Sequence, residues 1–417
     1  MSSTLAVEIV NLVLQAAFSR RKDGCHAKFL FGPPGVPRAL FNVGAEVFYS
    51  RAGLAKAALV ARQTGPLYLR SLPLSEVERQ LTDFVSDTYW AMAPHVFGQV
   101  FEGSYADHVP DTVRDELALI LASSPLLSPT DFPTIYPLVP IVVKADFEAP
   151  PFFLTSADTL SSRLVGIEHG LAPAQFPPIA SWEGRIERPA SWLGVRSPAQ
   201  SSAKRVRNAV LGALALLPHP LERHMFSGRN MFGGSASFRG SVSVSFGRPC
   251  TPAMSENLSI EAGDAQWLEL LALKLVDSNV LVRRQMRALE YFYRAWPLPE
   301  VERFPVLFMA LDAVFGDASQ HTQAVVDAIS SSIGVGYDVK RLKLLMKLRA
   351  AVIHGGAPDV YDSSNYAKYF GDYGKDPIGD LERIAARCIQ AVVFEGKQAS
   401  RRHTYADLLK ERLGYEP

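Results

Sequence analysis

Residues 342–356 read LKLLMKLRAAVIHGG, and this stretch decides the class of fold. Leucine, methionine, valine and isoleucine recur so densely that, at about 100° per residue, apolar side chains cover most of a helix over 338–354. A helix with such a broad apolar arc has to be packed on most of its surface. The stretch therefore predicts a mostly buried helix within a helical domain.

The remaining face of this helix forms a narrow basic strip. The strip consists of Lys343, Lys347, Ala350 and His354. His354 falls in the last turn, where the helix dipole favours a cation, and Gly355 with Gly356 can supply a left-handed cap. An imidazole beside lysines is suited to proton transfer at a phosphate. A capped helix end explains the same residues without any catalysis, so spacing alone leaves both interpretations open.

Arg349 does not belong to the strip, because it lies between Leu345 and Val352 within the apolar arc. A buried guanidinium without a partner is costly. The run RFPVLFMALDAVFG at 303–316 is almost wholly apolar apart from Asp312. We therefore expect Asp312 to pair with Arg349 and to hold it in a fixed pose.

Apolar residues recur at helical spacing from about residue 258 onward, and strand-like runs nearly vanish there. The predicted helices span 263–278, 280–296, 299–315, 319–332, 338–354, 377–395 and 404–413. Asp376 before Pro377 is typical of a helix start. The segment 357–376 before it is predicted to be a long loop, and such loops are usually functional or mobile.

The first 250 residues have a different pattern, rich in proline, glycine and short β-branched or aromatic runs. The predicted strands are HAKFLF, AEVFYS, GPLYLR, PLVPIVV, PPFFLT and SVSVSF, and the predicted helices cover 75–97 and 201–217. The fold class is therefore α+β. We expect a mixed α/β domain of sensing or regulatory role at 1–255, followed by an all-α bundle at 256–417.

The amino-acid composition limits the classes to which this protein can belong. The 417 residues are 48% hydrophobic and 20% charged with a net charge of +1, so binding to nucleic acid or anionic membrane would need local patches. Three distant cysteines fit a reducing compartment and exclude a disulfide framework or a cysteine zinc site. The histidines have no ligand spacing, so we expect no metal and no cofactor. No signal peptide and no run of roughly 18 apolar residues occurs, which predicts a cytoplasmic protein without membrane contact.

Three runs together resemble the Apea-like branch of the HEPN family over about 285–395. They are RALEYFYRAWPLPEVERFPVLFMALDAVFG, HTQAVVDAISSSIG and LKLLMKLRAAVIHGG. The most specific parts are the Arg-x4-His-Gly-Gly helix end and the Ala-Leu-acid-Ala helix that ends in Phe-Gly. The resemblance implies that 256–417 is a HEPN-like bundle forming a homodimer. It also implies a metal-independent endoribonuclease in toxin or antiviral defence, with RNA and a phage or antitoxin component as partners.

The same resemblance implies roles for individual residues. His354 would act as general base on the ribose 2′-hydroxyl, and Arg349 would stabilise charge on the scissile phosphate, giving a 2′,3′-cyclic phosphate end. Asp312 matches the family's acidic position, which is usually a glutamate. The RNA-binding candidates are Lys343, Lys347, Arg283 and Arg287.

Two alternatives stay open. Ala350 follows the arginine where active ribonucleases of the family often carry a polar residue, and this favours a catalytically silent module that binds RNA or a nucleotide. The helical domain could instead serve only as a dimerisation platform. Arg283, Arg287 and Arg294 share a helix face, which is typical of a solvated or paired surface as well as of a phosphate track.

Overall fold

The chain forms two compact units that divide at residue 131 rather than at the predicted boundary of 255. The computed structural model describes residues 2–21, 24–32, 43–164, 179–180, 186–187, 189–217, 233–239, 241–316, 321–333, 337–357 and 359–397. The first unit is Met1–Asp131 with Pro198–Ser202, and the second is Phe132–Ser197 with Ala203–Pro417. Helices and a mainly antiparallel set of strands confirm the predicted α+β class.

The described residues of the first unit form four α-helices packed with a small sheet. Its elements are α1 (Ser2–Ala16), β1 (Ala17–Phe18), β2 (His26–Leu30), β3 (Gly44–Tyr49), α2 (Arg51–Thr64), α3 (Leu74–Val96) and α4 (Asp111–Ser123). The strands are antiparallel in the order β1-β3-β2. The run GPLYLR, predicted as a strand, lies in a 3-10 helix at Leu67–Ser71. Pro66 precedes that helix with its φ at −52°, and Leu69 points into the core of the unit.

The second unit begins with strands. They are β4 (Phe132–Leu138), β5 (Ile141–Val143), β6 (Phe147–Glu148), β7 (Phe152–Ser156), β8 (Ile179–Ala180), β9 (Ile186–Glu187), β10 (Ser191–Ser197), β11 (Gly233–Arg239), β12 (Ser241–Gly247) and β13 (Leu258–Ile260). Six of them form an antiparallel sheet in the order β12-β11-β4-β10-β7-β6. The strand β13 pairs in parallel with β5, and β8 pairs with β9. The predicted strands other than GPLYLR therefore contribute to sheets.

The helices associated with this unit follow the predicted periodicity closely. They are α5 (Leu160–Arg163), α6 (Gln200–Leu214), α7 (Ala265–Val276), α8 (Val280–Ala295), α9 (Glu300–Phe315), α10 (His321–Ile333), α11 (Val339–Ile353), α12 (Ser364–Tyr373) and α13 (Pro377–Phe394). The first residues of α6 belong to the first unit. Each predicted helix between 263 and 395 has a counterpart. The helix predicted at 404–413 lies outside the described residues.

The loop prediction for 357–376 is wrong, because this segment contains α12. The hydroxyl of Ser363 accepts from the N–H of Asn365 and caps the helix start. Tyr369 is its one fully buried side chain. Tyr366 and Tyr373 pack against the same core at helical spacing, but the serine, aspartate and glycine residues around them are typical of a loop.

One hydrophobic core contains residues from both sides of residue 255. For this reason the two units do not divide there. Tyr136 of β4, Leu211 of α6, Leu289 of α8 and Leu345 of α11 all belong to it. A Cβ at Gly212 would overlap the carbonyl oxygen of Leu289, so glycine lets α6 approach α8 closely.

Of the helices in the described ranges, none combines the length and apolar character needed to span a bilayer.

Candidate active site

The predicted ion pair between α11 and α9 is present. The Arg349 guanidinium donates to Asp312 twice, with Nη2 to Oδ2 at 2.5 Å and Nη1 to Oδ1 at 3.3 Å. The exposed fractions of the two side chains are 24% and 27%. The charges are therefore partly desolvated, while the pair remains open to solvent on one side.

The surroundings of Arg349 fix its orientation. Phe308 lies one turn before Asp312 on α9, and its buried ring is 5.3 Å from the guanidinium carbon of Arg349. An aromatic face and a carboxylate one turn apart thus hold the cation through stacking and charge-assisted hydrogen bonds. The arrangement leaves part of the guanidinium available to a further anion, since arginine carries five N–H donors.

The end of α9 that carries Asp312 is itself anchored to α8. Arg284 of α8 donates to the main-chain carbonyls of Ala313 at 2.8 Å and Gly316 at 3.1 Å. It also reaches the carbonyl of Asp312 at 3.4 Å. Carbonyls in the last turn of a helix lack partners within the helix, so Arg284 both caps α9 and fixes the backbone that presents Asp312.

His354 lies at the C-terminal cap of α11 and is exposed. Its main-chain N–H donates to the carbonyl of Ala350 at 3.0 Å, and Gly355 follows with a φ of +72°. The predicted left-handed cap is therefore formed at Gly355. Gly356 donates to the carbonyl of Ala351 at 2.7 Å and completes the helix end.

Arg349 and His354 point in different directions within one subunit. Five residues on a helix correspond to a rotation of about 140°. Arg349 faces α9, whereas His354 faces solvent on the same side as the exposed Lys343 and Lys347. The structure thus brings together Arg349 and Asp312, and it places His354 with the basic strip.

The two arginine candidates on α8 differ in environment. Arg283 is exposed, as an RNA-contacting residue would be. Arg287 donates to the buried Glu290 at 3.0 Å, and its guanidinium carbon lies 4.8 Å from the ring centre of Tyr291. Because Arg205 also donates to Glu290 at 3.1 Å, two arginines share one carboxylate. A role for Arg287 in RNA binding stays a prediction.

The residues that hold the other end of α11 were not predicted from the sequence. Arg341 pairs with the buried Asp380 of α13, and the hydroxyl of Tyr369 donates to Asp380 at 2.7 Å while accepting from Arg341 at 2.8 Å. The rings of Tyr337 and Tyr373 also lie beside this guanidinium. An Arg–Asp pair therefore holds α11 near each end. The tyrosine-rich segment after Gly355 is the one sequence signal that could have indicated this network.

Across the described ranges, no group of histidine, cysteine or acidic side chains is arranged to hold a metal ion. Comparison of the chain with protein-family models, with curated proteins and with solved structures gives no match. The resemblance to the HEPN family therefore remains a prediction from the sequence. What the structure supplies is the geometry of Arg349, Asp312 and His354.

Proposed function

We propose that this chain is a homodimeric, metal-independent endoribonuclease of the HEPN type that acts in the cytoplasm in toxin or antiviral defence. The observation that carries the proposal is the partly exposed pair of Arg349 with Asp312, in which Arg349 lies on the same helix as an exposed terminal histidine. A guanidinium held by a carboxylate and an aromatic ring is preorganised to bind phosphate.

In this proposal His354 takes the proton from a ribose 2′-hydroxyl. The 2′-oxygen then attacks the adjacent phosphorus, and the bond from phosphorus to the 5′-oxygen breaks. Arg349 donates hydrogen bonds to the phosphate oxygens as negative charge accumulates on them. The departing 5′-oxygen takes up a proton from water, and His354 afterwards releases its proton to the solvent, so the products are a 2′,3′-cyclic phosphate end and a 5′-hydroxyl end. Asp312 is a positioning residue that keeps Arg349 in place.

A second copy of the chain is required because Arg349 and His354 diverge by about 140° on one helix. Two copies related by a twofold axis would place His354 of one near Arg349 of the other. Both helices also carry exposed apolar side chains: Ile353 next to His354 on α11 is 49% exposed, and Met309 on α9 is 43% exposed. Burial of these side chains in an interface between two copies would favour that dimer.

Replacing His354 with alanine tests the proposal. Labelled RNA is incubated with the protein and a chelator, and the ends of the products are analysed for cyclic phosphate. We expect His354→Ala to abolish cleavage while native mass and helical content stay unchanged. His26→Ala removes another exposed histidine from the first unit and should leave cleavage at the wild-type rate. Equal cleavage by His354→Ala and wild type would refute the assignment.

The alternative function is RNA or nucleotide binding without cleavage. Ala350 supports it, because this exposed position in the basic strip offers no polar group near the phosphate. Saturable RNA binding with no new cyclic-phosphate ends would favour this alternative. If neither binding nor cleavage occurs, and monomeric variants lose an activity of the rest of the chain, the helices act only as a dimerisation platform.

A further inference from the structure

Arg207 of α6 carries a positive charge that no carboxylate among the described residues balances. Its guanidinium carbon lies 5.0 Å from the ring centre of Tyr136 on β4 and 5.8 Å from that of Tyr293 on α8. Within the described part of the chain, no acidic side chain lies at ion-pair distance from Arg207, whereas Arg205 on the same helix pairs with Glu290. A half-buried cation between aromatic rings is poorly hydrated, so an anion is the missing component.

The hydrogen bonds of Arg207 leave one edge of its guanidinium unused. Nε and Nη2 donate to the side-chain oxygen of the adjacent Asn208 at 3.1 and 2.8 Å. Arginine has five N–H donors, and Nη1 has no acceptor among the described residues. The edge formed by Nη1 and Nη2 is the one that binds two oxygens of an oxyanion in parallel.

Tyr136 provides a second, independent observation. Its side chain is 1% exposed, and its hydroxyl oxygen has no hydrogen-bond partner in the described ranges. Burial raises the pKa of this hydroxyl to about 12, and the charge of Arg207 opposes that rise. The hydroxyl is therefore a neutral donor near a cation, and buried polar groups of this kind nearly always have a partner.

The surroundings are rigid and neutral. The hydroxyl of Tyr293 donates to the carbonyl of Cys250 at 2.7 Å, and the thiol of Cys250 donates to the carbonyl of Pro137 at 3.4 Å. Burial raises the pKa of the Cys250 thiol to about 11, so it carries no charge at neutral pH. These contacts fix Tyr293 beside Arg207 without compensating its charge.

We propose that Arg207 and Tyr136 bind a phosphate group, either as inorganic phosphate or as the phosphate of a small monoester. Two oxygens accept from the Nη edge of Arg207, and another accepts from the hydroxyl of Tyr136. A phosphate monoanion balances the single charge of Arg207, and its tetrahedral oxygens satisfy both donors, whereas a carboxylate offers only two oxygens in one plane. This site is distinct from Arg349 and His354, and it does not depend on RNA cleavage.

Calorimetric titration of the full chain with inorganic phosphate, at constant ionic strength maintained with chloride, tests the proposal. Arg207→Gln and the nearly isosteric Tyr136→Phe should each weaken phosphate binding at least tenfold. Lys204→Gln removes an equal charge from an exposed position on the same helix and should not change the affinity.

Other ligands and the stability of a ligand-free variant test the proposal further. Acetate should bind more than tenfold more weakly than phosphate, and a nucleoside monophosphate that binds more tightly than phosphate would identify an ester as the ligand. Without ligand, Tyr136→Phe should be at least as stable as the wild type, because the hydroxyl has no partner to lose. Unchanged phosphate affinity in Arg207→Gln and Tyr136→Phe, or a clearly destabilised ligand-free Tyr136→Phe, overturns the proposal.

Discussion

Replacing Asp312 with asparagine removes the negative charge beside Arg349 and keeps the shape of the side chain. The guanidinium would then lie on the Phe308 ring with an uncharged neighbour that can accept only weakly. We expect lower stability of the second unit and a less fixed Arg349. The perturbation therefore tests the element on which the proposed catalysis depends.

The magnitude follows from the exposure of the pair. Two unit charges about 4 Å apart interact with about 4 kcal/mol near a protein surface before desolvation is subtracted. Breaking a fully buried pair costs about 3–5 kcal/mol, and this range applies to Arg303–Glu382, whose side chains are 3% and 6% exposed. The Arg349–Asp312 pair is about a quarter exposed, so solvent screening reduces the expected loss to about 1–2 kcal/mol.

An exposed ion pair in the same unit shows how small a loss of stability can be expected. Lys368 and Asp372 are 3.0 Å apart with side chains 62% and 45% exposed, and such pairs contribute about 0.3–0.5 kcal/mol. Urea unfolding followed by circular dichroism should therefore rank the losses as Glu382→Gln above Asp312→Asn above Asp372→Asn. The three variants each remove one carboxylate charge, so net charge is matched.

The RNA-cleavage assay completes the test. Asp312→Asn should reduce the cleavage rate about 10- to 100-fold, since displacement of a positioned group by about 1 Å costs this much. Asp372→Asn should cleave at the wild-type rate. If Asp312→Asn loses no more stability than Asp372→Asn and cleaves normally, then the ion pair does not fix Arg349 and the reasoning fails.

Three further predictions concern the helix end, the cysteines and the basic strip. Gly355→Ala should cost about 1–2 kcal/mol in urea unfolding, because a non-glycine residue must adopt the left-handed φ of +72°; Gly356→Ala should cost less, and equal losses would contradict the cap. At pH 8, iodoacetamide should modify only Cys25 in the folded protein, since burial raises the pKa of the other two thiols, and mass spectrometry should find three modified cysteines after denaturation. Lys343→Ala should reduce the log–log salt slope of RNA binding by about 0.7. Arg287→Ala should change it less, because Glu290 pairs with Arg287 and offsets part of its charge, and an equal change would refute the distinction.

The helices of the second unit could be predicted because their periodicity is local. The predicted spans 280–296 and 299–315 match Val280–Ala295 and Glu300–Phe315 to within a residue. Apolar residues at helical spacing encode both the helix and its buried face. The helix Ser364–Tyr373 was missed because its short run of tyrosines lies among serine, aspartate and glycine residues that are typical of a loop.

The Arg349–Asp312 pair could be inferred because each charge stands alone in an apolar run. Arg303–Glu382 and Arg341–Asp380 could not, although both carboxylates are buried. These four residues have charged neighbours in the sequence, so the sequence pattern around them is the same as that of an exposed position. Burial of a charged residue depends on which helix packs over it, and that is a property of the whole unit.

The sequence by itself determined the α+β class, most helix bounds, the left-handed cap at Gly355 and the pairing of Arg349 with Asp312. These features follow from periodicity, glycine chemistry and the cost of an isolated buried charge. Only the tertiary structure decided that the sheet shares one core with the helices and that Tyr136 and Arg207 meet. Contacts between residues distant in sequence arise from packing of complementary surfaces, and local patterns do not record which surfaces meet.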